Sequence, residues 1–308
     1  MYVRPAAAAA AAFLGFTLTL LGGTASYAAT GPGSATGAGT GATTGRAALG
    51  GPVVYAHRGA SAYAPENTLD AIDLAGQMGF DWVENDVQRT RDGVLVVIHD
   101  DTLARTTDVE QRFPNRAPWK VQDFTAAEIA LLDAGSWFGE EYAGASVPTL
   151  RQYLDRVQHN RQKLLLEIKK PELYPGIEEQ TLKVLEEAGW LDTRHVAQRL
   201  VVQSFSAASV RIVHGLRPDL VTAFLGTPTM ADLPHYAEFT DRINPWHTTI
   251  SAEWVSAVHG LRGAHGKTME VDTWIVDDAA TARKVQDMGV DGIITNAPDV
   301  VQDAVGGF

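Results

Sequence analysis

The spacing of short apolar runs from Val53 onward restricts the fold more than any other feature of the chain. Nine of them read as strands: Val53–His57, Asp81–Val87, Val94–His99, Lys163–Lys169, Leu200–Phe205, Leu220–Gly226, Ile243–Ile250, Met269–Val276 and Gly292–Thr295. Amphipathic stretches lie between most of them. Thr68–Met78 carries Leu69, Ile72 and Leu74 toward one side, and Gly176–Ala188 and Thr281–Met288 are similar. Strands that alternate with helices imply βα units and a parallel sheet. One connection breaks the pattern: only Gln88–Gly93 separates the second run from the third. A parallel crossover needs about a dozen residues or more. These two strands should therefore form an antiparallel hairpin that turns at Arg91-Asp92-Gly93. Removing the Val94 strand leaves eight, and a TIM (β/α)8 barrel of about 250 residues fits positions 52–308.

The first 50 residues read differently. Residues 6–22 are apolar but short for a bilayer span of about 20 residues, Arg4 is the sole charge before Arg46, and Ser26-Tyr27-Ala28 fits a small-x-small cleavage site. We expect a secretory signal peptide over 1–28 and no stable membrane span. Residues 29–50, mostly Gly, Ala, Thr and Ser, should be a flexible linker, because they bury too little to offset their ordering entropy. The folded domain is then 51–308. Residues 101–147 form a long excursion within it, containing Trp119, Phe124, Trp137, Phe138 and Tyr142.

Polar residues gather where these strands end, which in such barrels is the active-site face. His57 ends the first strand, Glu84 and Asp86 lie near the end of the second, and Glu167 and Lys169 end the next helix-linked one. Residues two apart in a strand share a face, so Glu84 and Asp86 point the same way, as do Glu167 and Lys169. The hairpin folds His99 back beside Asn85. Three carboxylates at one barrel mouth would repel unless a hard cation lies between them, and oxygen ligands without Cys indicate Mg²⁺ or Ca²⁺. The alternative is salt bridging to Arg58 and Lys169 without metal. His57 and His99 can give or take a proton near neutral pH. Arg58 offers a planar fork for phosphate oxygens, and Lys169 adds a compact positive charge. This combination suits phosphoryl chemistry.

The balance of charges agrees. With 37 acidic against 25 basic residues and a net charge of −12, the chain is a poor partner for nucleic acid or an anionic membrane. An anionic substrate would need a local device to reverse the field. The absence of cysteine excludes a disulfide scaffold, a thiolate zinc site and a Cys nucleophile.

Several ordered motifs carry a family resemblance. The run His57-Arg58-Gly59-Ala60-Ser61-Ala62-Tyr63-Ala64-Pro65-Glu66-Asn67-Thr68 resembles the opening signature of the glycerophosphodiester phosphodiesterase family, in its secreted bacterial form. So do Glu84-Asn85-Asp86-Val87, Asp92-Gly93, His99-Asp100, Leu103-Ala104-Arg105-Thr106-Thr107, Val147-Pro148-Thr149-Leu150, Glu167-Ile168-Lys169, Ser204-Phe205 and Trp274. The resemblance spans roughly residues 53–300. It implies a TIM barrel with a small insertion subdomain at 101–147, and hydrolysis of glycerophosphodiesters such as glycerophosphocholine to sn-glycerol 3-phosphate and an alcohol. It further implies a metal held by Glu84, Asp86 and Glu167, and acid–base roles for His57 and His99, with either His as the first-step acid. The implied route has the substrate's own glycerol hydroxyl attack first, giving a cyclic phosphate that water opens.

Arg58, Lys169 and Trp274 are candidate substrate contacts. Trp274 packs against glycerol or belongs to the core. The aromatics of 101–147 form a mini-core or guide the alcohol. Asn67 organises the loop after the first strand or caps the following helix. Two positions depart from the family pattern, Asp277 after Trp274-Ile275-Val276 and Asn296 in Thr295-Asn296-Ala297-Pro298, and neither is expected to touch the metal or His positions. Of the two cations, export favours Ca²⁺, which is abundant outside cells. Wall teichoic acid and lysophospholipid are further candidate partners. Two other readings are a phospholipase D-like enzyme acting on lysophospholipids or sphingomyelin, and a non-catalytic phosphodiester- or wall-polymer-binding protein. N-terminal sequencing of the exported protein should begin near Ala29; a product that retains residues 1–28 would contradict the leader assignment.

Overall fold

The computed structural model describes residues 51–306, so the expected signal peptide and linker lie outside the described residues. All nine expected strands form: β1 (Val53–Ala56), β2 (Trp82–Arg89), β3 (Leu95–Val97), β4 (Lys163–Ile168), β5 (Leu200–Ser204), β6 (Thr222–Leu225), β7 (Arg242–Asn244), β8 (Glu270–Thr273) and β9 (Gly292–Thr295). Eight run parallel in the order β1-β9-β8-β7-β6-β5-β4-β2, and β1 pairs back onto β2 through Tyr55↔Trp82 and Ala56↔Val83. That pairing closes the barrel. The ninth strand, β3, lies antiparallel on β2 with Val87↔Val97, Gln88↔Val96 and Arg89↔Leu95 in register. Gly93, at φ 83°, makes the turn, and Thr90 receives the returning chain. The same register places His99 opposite Asn85, as the connection length required.

Side-chain alternation divides the strands into two layers. Val54, Val83, Leu164, Leu166, Val202, Ile243, Val271 and Ile293 belong to the large cluster that also contains buried residues of the surrounding helices. Tyr55, Leu165, Val201, Ala223 and Ile294 form a separate buried cluster, which is the barrel interior. Residues two further along these strands therefore also point inward, and this brings Glu84, Asp86 and Glu167 to the mouth.

The helix Leu69–Gln77 starts at Thr68, whose hydroxyl accepts from the Ala71 amide. Thr68, not Asn67, is thus its cap. The strand expected over Ile243–Ile250 stops at Asn244, because Pro245 has no N–H to continue the ladder, and His247–Thr249 forms a single 3₁₀ turn. Residues 101–147 fold around a second core that they share with Val96 and Ile98 and that includes Leu103, Val109, Val121, Phe124, Ile129 and Leu132, with Trp119 packed against it. Thr125 and Glu128 close a reciprocal capping box. The aromatics of this segment divide. Phe124 and Trp119 serve the core, whereas Trp137, Phe138 and Tyr142 pack edge-on against one another, with Trp137 exposed. Tyr142 donates to the Tyr63 carbonyl at 2.8 Å and ties the segment to the loop after β1.

That loop is tightly wound. Arg58 and Gly59 both have positive φ, and a Cβ on Gly59 would come within 2.5 Å of the Ala71 carbonyl carbon. Neither the backbone conformation nor the helix behind it leaves room for a side chain. Gly59→Ala should cost about 2–4 kcal/mol, seen as a lower urea midpoint; an unchanged midpoint would show that the loop relaxes freely.

Candidate active site

The site forms where the inward rows of β1, β2 and β4 reach the barrel mouth. Asp86 pairs with Glu167 across the β2–β4 register. Glu84, Asp86 and Glu167 are each almost fully buried, and each offers an oxygen within 4.8 Å of the others. Burial, and then the mutual repulsion of the carboxylates, raise Glu84 well above the usual range and Glu167 to about 8. Burial opposes ionisation of Asp86 too. There Arg58 and Lys169 win, and hold it below the usual range. Arg58 Nε lies 3.1 Å from Asp86 Oδ2, and Lys169 Nζ lies 2.9 Å from Glu167. One oxygen of Asp86, Oδ1, is buried without a hydrogen-bond donor. Three converging buried carboxylates with an unsatisfied oxygen fit a hard divalent cation. The salt-bridge alternative is also partly realised, because Arg58 and Lys169 do pair with the group.

Both histidines stand at this group. His57 Nε2 is 3.9 Å from Glu84. Its Nδ1 lies 2.7 Å from Asn296 Oδ1. The amide orientation is set by Asp277, which can only accept and takes Asn296 Nδ2 at 2.8 Å. Asn296 Oδ1 therefore faces His57, Nδ1 must donate, and the Nε2 lone pair is left toward the mouth. Burial first, and Arg58 second, lower the His57 pKa to about 3. His99 Nδ1 contacts Asp100 Oδ1 at 2.7 Å. Its backbone is held by Gln88, whose amide donates to the carbonyls of Ile98, His99 and Asp100. Burial also lowers His99, while Asp86 pulls in the opposite direction.

The two departures from the family pattern therefore do touch a histidine position, contrary to expectation. Asn296 is the hydrogen-bond partner of His57, and Asp277 orients Asn296. A local motif could not reveal this, since the contact joins residues 239 positions apart. Asn67 also takes a definite role. Its Nδ2 donates to Asp86 Oδ2 at 2.8 Å, so the loop after β1 grips the carboxylate directly.

A cleft of about 60 Å³ collects His57, Arg58, Glu84, His99, Glu167 and Lys169 on one side, and Phe205, Leu225, Trp274 and Ile275 on the other. Trp274 uses its indole N–H on the Asn244 carbonyl, which leaves the ring as wall. Phe205 stands edge-on to it at 5.4 Å, and Trp246 at 4.9 Å on another side. All eight expected site residues thus lie together, with Asp86 beneath the cleft. His247 sits in the turn after β7, outside it. A larger cavity of about 480 Å³ opens near the starts of β7 and β8, lined by Asp241, Arg242, His265 and Glu270. Within it Arg242 pairs with Asp272 and Glu270.

Fold and site together define a barrel hydrolase built for a phosphate ester. The model of the glycerophosphoryl diester phosphodiesterase family matches residues 57–300. A glycerophosphodiester phosphodiesterase of Bacillus subtilis is 35% identical over 267 residues, covering 82% of this chain and 86% of that protein. One from Caldanaerobacter subterraneus is 35% identical over 256 residues, covering 82% and 97%. An Oleispira antarctica phosphodiesterase, solved with its product sn-glycerol-3-phosphate, superposes with a TM-score of 0.68 at 30% identity, covering 83% and 97%. The chain belongs to the glycerophosphoryl diester phosphodiesterase family. It is a hydrolase of small glycerophosphodiesters.

Without a cation, a proton held by Glu167 up to about pH 8 stabilises the folded state relative to the unfolded chain, where the group titrates near 4.5. That contribution is lost as pH rises between these values. Cation binding must displace the proton, so affinity should increase from about pH 6 to about pH 9. Glu167→Gln should weaken binding and flatten this dependence. Calorimetry that finds equal affinity in the variant would remove Glu167 from the cation site.

Proposed function

We propose that the protein hydrolyses glycerophosphodiesters such as glycerophosphocholine outside the cell, with Glu84, Asp86 and Glu167 holding a divalent cation and His57 and His99 moving protons. The observation that carries this reading is the convergence of the three buried carboxylates with two differently supported imidazoles. A bound cation would supply Lewis-acid polarisation of a phosphoryl oxygen. The all-oxygen donor set suits Ca²⁺ or Mg²⁺, and the extracellular setting favours Ca²⁺.

The residues of the chain divide the remaining work. Arg58 and Lys169 neutralise phosphate charge as it builds up. His57 has Nδ1 committed to Asn296 and a free lone pair on Nε2. It is the base for the attacking hydroxyl, whether from water or from the substrate's own glycerol. His99 leans on an ionised carboxylate, which stabilises an imidazolium better than a neutral amide can. It is the acid that delivers a proton to the leaving alcohol. Trp274, with Phe205, gives the carbon atoms of the substrate an apolar wall. Lys169 Nζ stands 5.3 Å from the Phe205 ring, and this joins the wall to the charged side.

His57→Ala and His99→Ala should each lower kcat on glycerophosphocholine by about 10²–10⁴-fold, with cation affinity retained. Substrates with a better leaving group should relieve His99→Ala more than His57→Ala, because only the first lacks the acid. Near-normal turnover in either variant would remove that residue from proton transfer.

A further inference from the structure

A single guanidinium holds two carboxylates beside the site, Asp100 and Glu66. Arg105 follows β3 in the Leu103–Thr107 stretch. Its Nε donates to Asp100 Oδ2 at 2.7 Å and its Nη2 to Asp100 Oδ1 at 3.1 Å. It also donates to Glu66, through Nη1 to Oε2 at 2.8 Å and through Nη2 to Oε1 at 2.7 Å. Each carboxylate has a second partner inside the site. Asp100 Oδ1 faces His99 Nδ1 at 2.7 Å, and Glu66 Oε1 accepts from Arg58 Nη1 at 2.9 Å.

We propose that Arg105 is a positioning residue that sets His99, through Asp100, and Arg58, through Glu66, in one fixed relation. The proposal rests on the roles given above to His99 and Arg58. Its physical basis is the planar fork. Two paired carboxylate contacts fix direction as well as distance, which an ammonium group cannot do. The base of the fork is rigid, since Leu103 is fully buried, its amide donates to the Trp119 carbonyl and its own carbonyl accepts from Thr107. Arg105 thus joins the loop after β1 to the segment after β3. It makes one unit of a proton-transfer group and a phosphate-binding group that lie 41 positions apart in sequence. The bland reading is an exposed salt bridge, which usually contributes little, and Arg105 is 44% exposed at its side chain. That reading does not account for both carboxylates being shared with residues of the cleft.

The test measures kcat, KM and cation affinity on glycerophosphocholine with saturating Ca²⁺ or Mg²⁺. The enzymes are wild type, Arg105→Ala, Arg105→Lys, Asp100→Asn and the Arg105→Ala/Asp100→Asn double variant. Arg105→Ala should lower kcat by about 10–100-fold, with cation affinity within about twofold of wild type. Arg105→Lys should restore little of the loss. Millimolar guanidinium should restore part of it, because the vacated site opens to solvent. In the double variant the two losses should combine to less than their product. A kcat for Arg105→Ala within twofold of wild type, or full rescue by Arg105→Lys, would overturn the proposal. So would losses that multiply in full in the double variant. Should Arg105→Ala not fold, the Arg105→Lys comparison and the Asp100→Asn variant decide the matter. His99→Ala run alongside separates the two levels. If it is fully active the proton-transfer reading fails, whereas an inactive His99→Ala beside an unaffected Arg105→Ala removes only the positioning role.

Discussion

The register between β2 and β4 sets Asp86 directly opposite Glu167, and the two-residue repeat of β2 adds Glu84 on the same inward face. Three carboxylates are thereby confined to a space from which water is largely excluded, where like charges repel strongly. The surroundings answer that stress. Arg58 and Lys169 stand against Asp86, Asn67 donates to it, and the Arg58 amide donates to Glu84 Oε2 at 3.1 Å. The compensation is partial, because Glu84 and Glu167 remain raised. Two buried acids that resist ionisation could be relieved by a bound cation, and Arg58 and Lys169 line the same cleft.

The rest of the mouth is built outward from that group. Each histidine presents one nitrogen to the cleft and fastens the other, His57 to an amide oriented by Asp277 and His99 to a carboxylate held by Arg105. The two supports differ in charge, a neutral amide for His57 and a carboxylate for His99, and the proposed division of proton transfer rests on that difference. On the opposite wall Phe205 packs edge to face on Trp274, which Trp246 backs from outside the cleft lining. The cleft is therefore charged on one side and aromatic on the other, a division that matches a substrate with an anionic phosphate and a carbon skeleton.

Much of this could be read from the chain before any coordinates. The count of eight barrel strands followed from one short connection, and the placement of Glu84, Asp86 and Glu167 followed from strand alternation. Both depend on local geometry, which sequence records well. The contacts missed were of another kind. Asn296 and Asp277 appeared as departures from a pattern, and only closure of β9 onto β1 brings Asn296 to His57. Asn67 reads as either an organiser of the loop after the first strand or a helix cap, and its positive φ turns it toward Asp86, a contact that local spacing does not show. Glu66 and Arg105 lie in the family motifs, but the fork between them spans two loops, which no local pattern shows. The shortened β7 was within reach, because Pro245 is in the sequence and cannot donate to a ladder.

The claim on which the site depends is that phosphodiester hydrolysis here needs a cation held by the three carboxylates. The most direct measurement is release of sn-glycerol 3-phosphate from glycerophosphocholine by the purified enzyme after treatment with EDTA, then with Ca²⁺ or Mg²⁺ restored. Release that stops with EDTA and returns with one of the two ions is the expected result, and it names the cofactor. Undiminished release in EDTA, from enzyme verified to be metal-free, would contradict it and leave side chains such as Arg58 and Lys169 to balance the carboxylates.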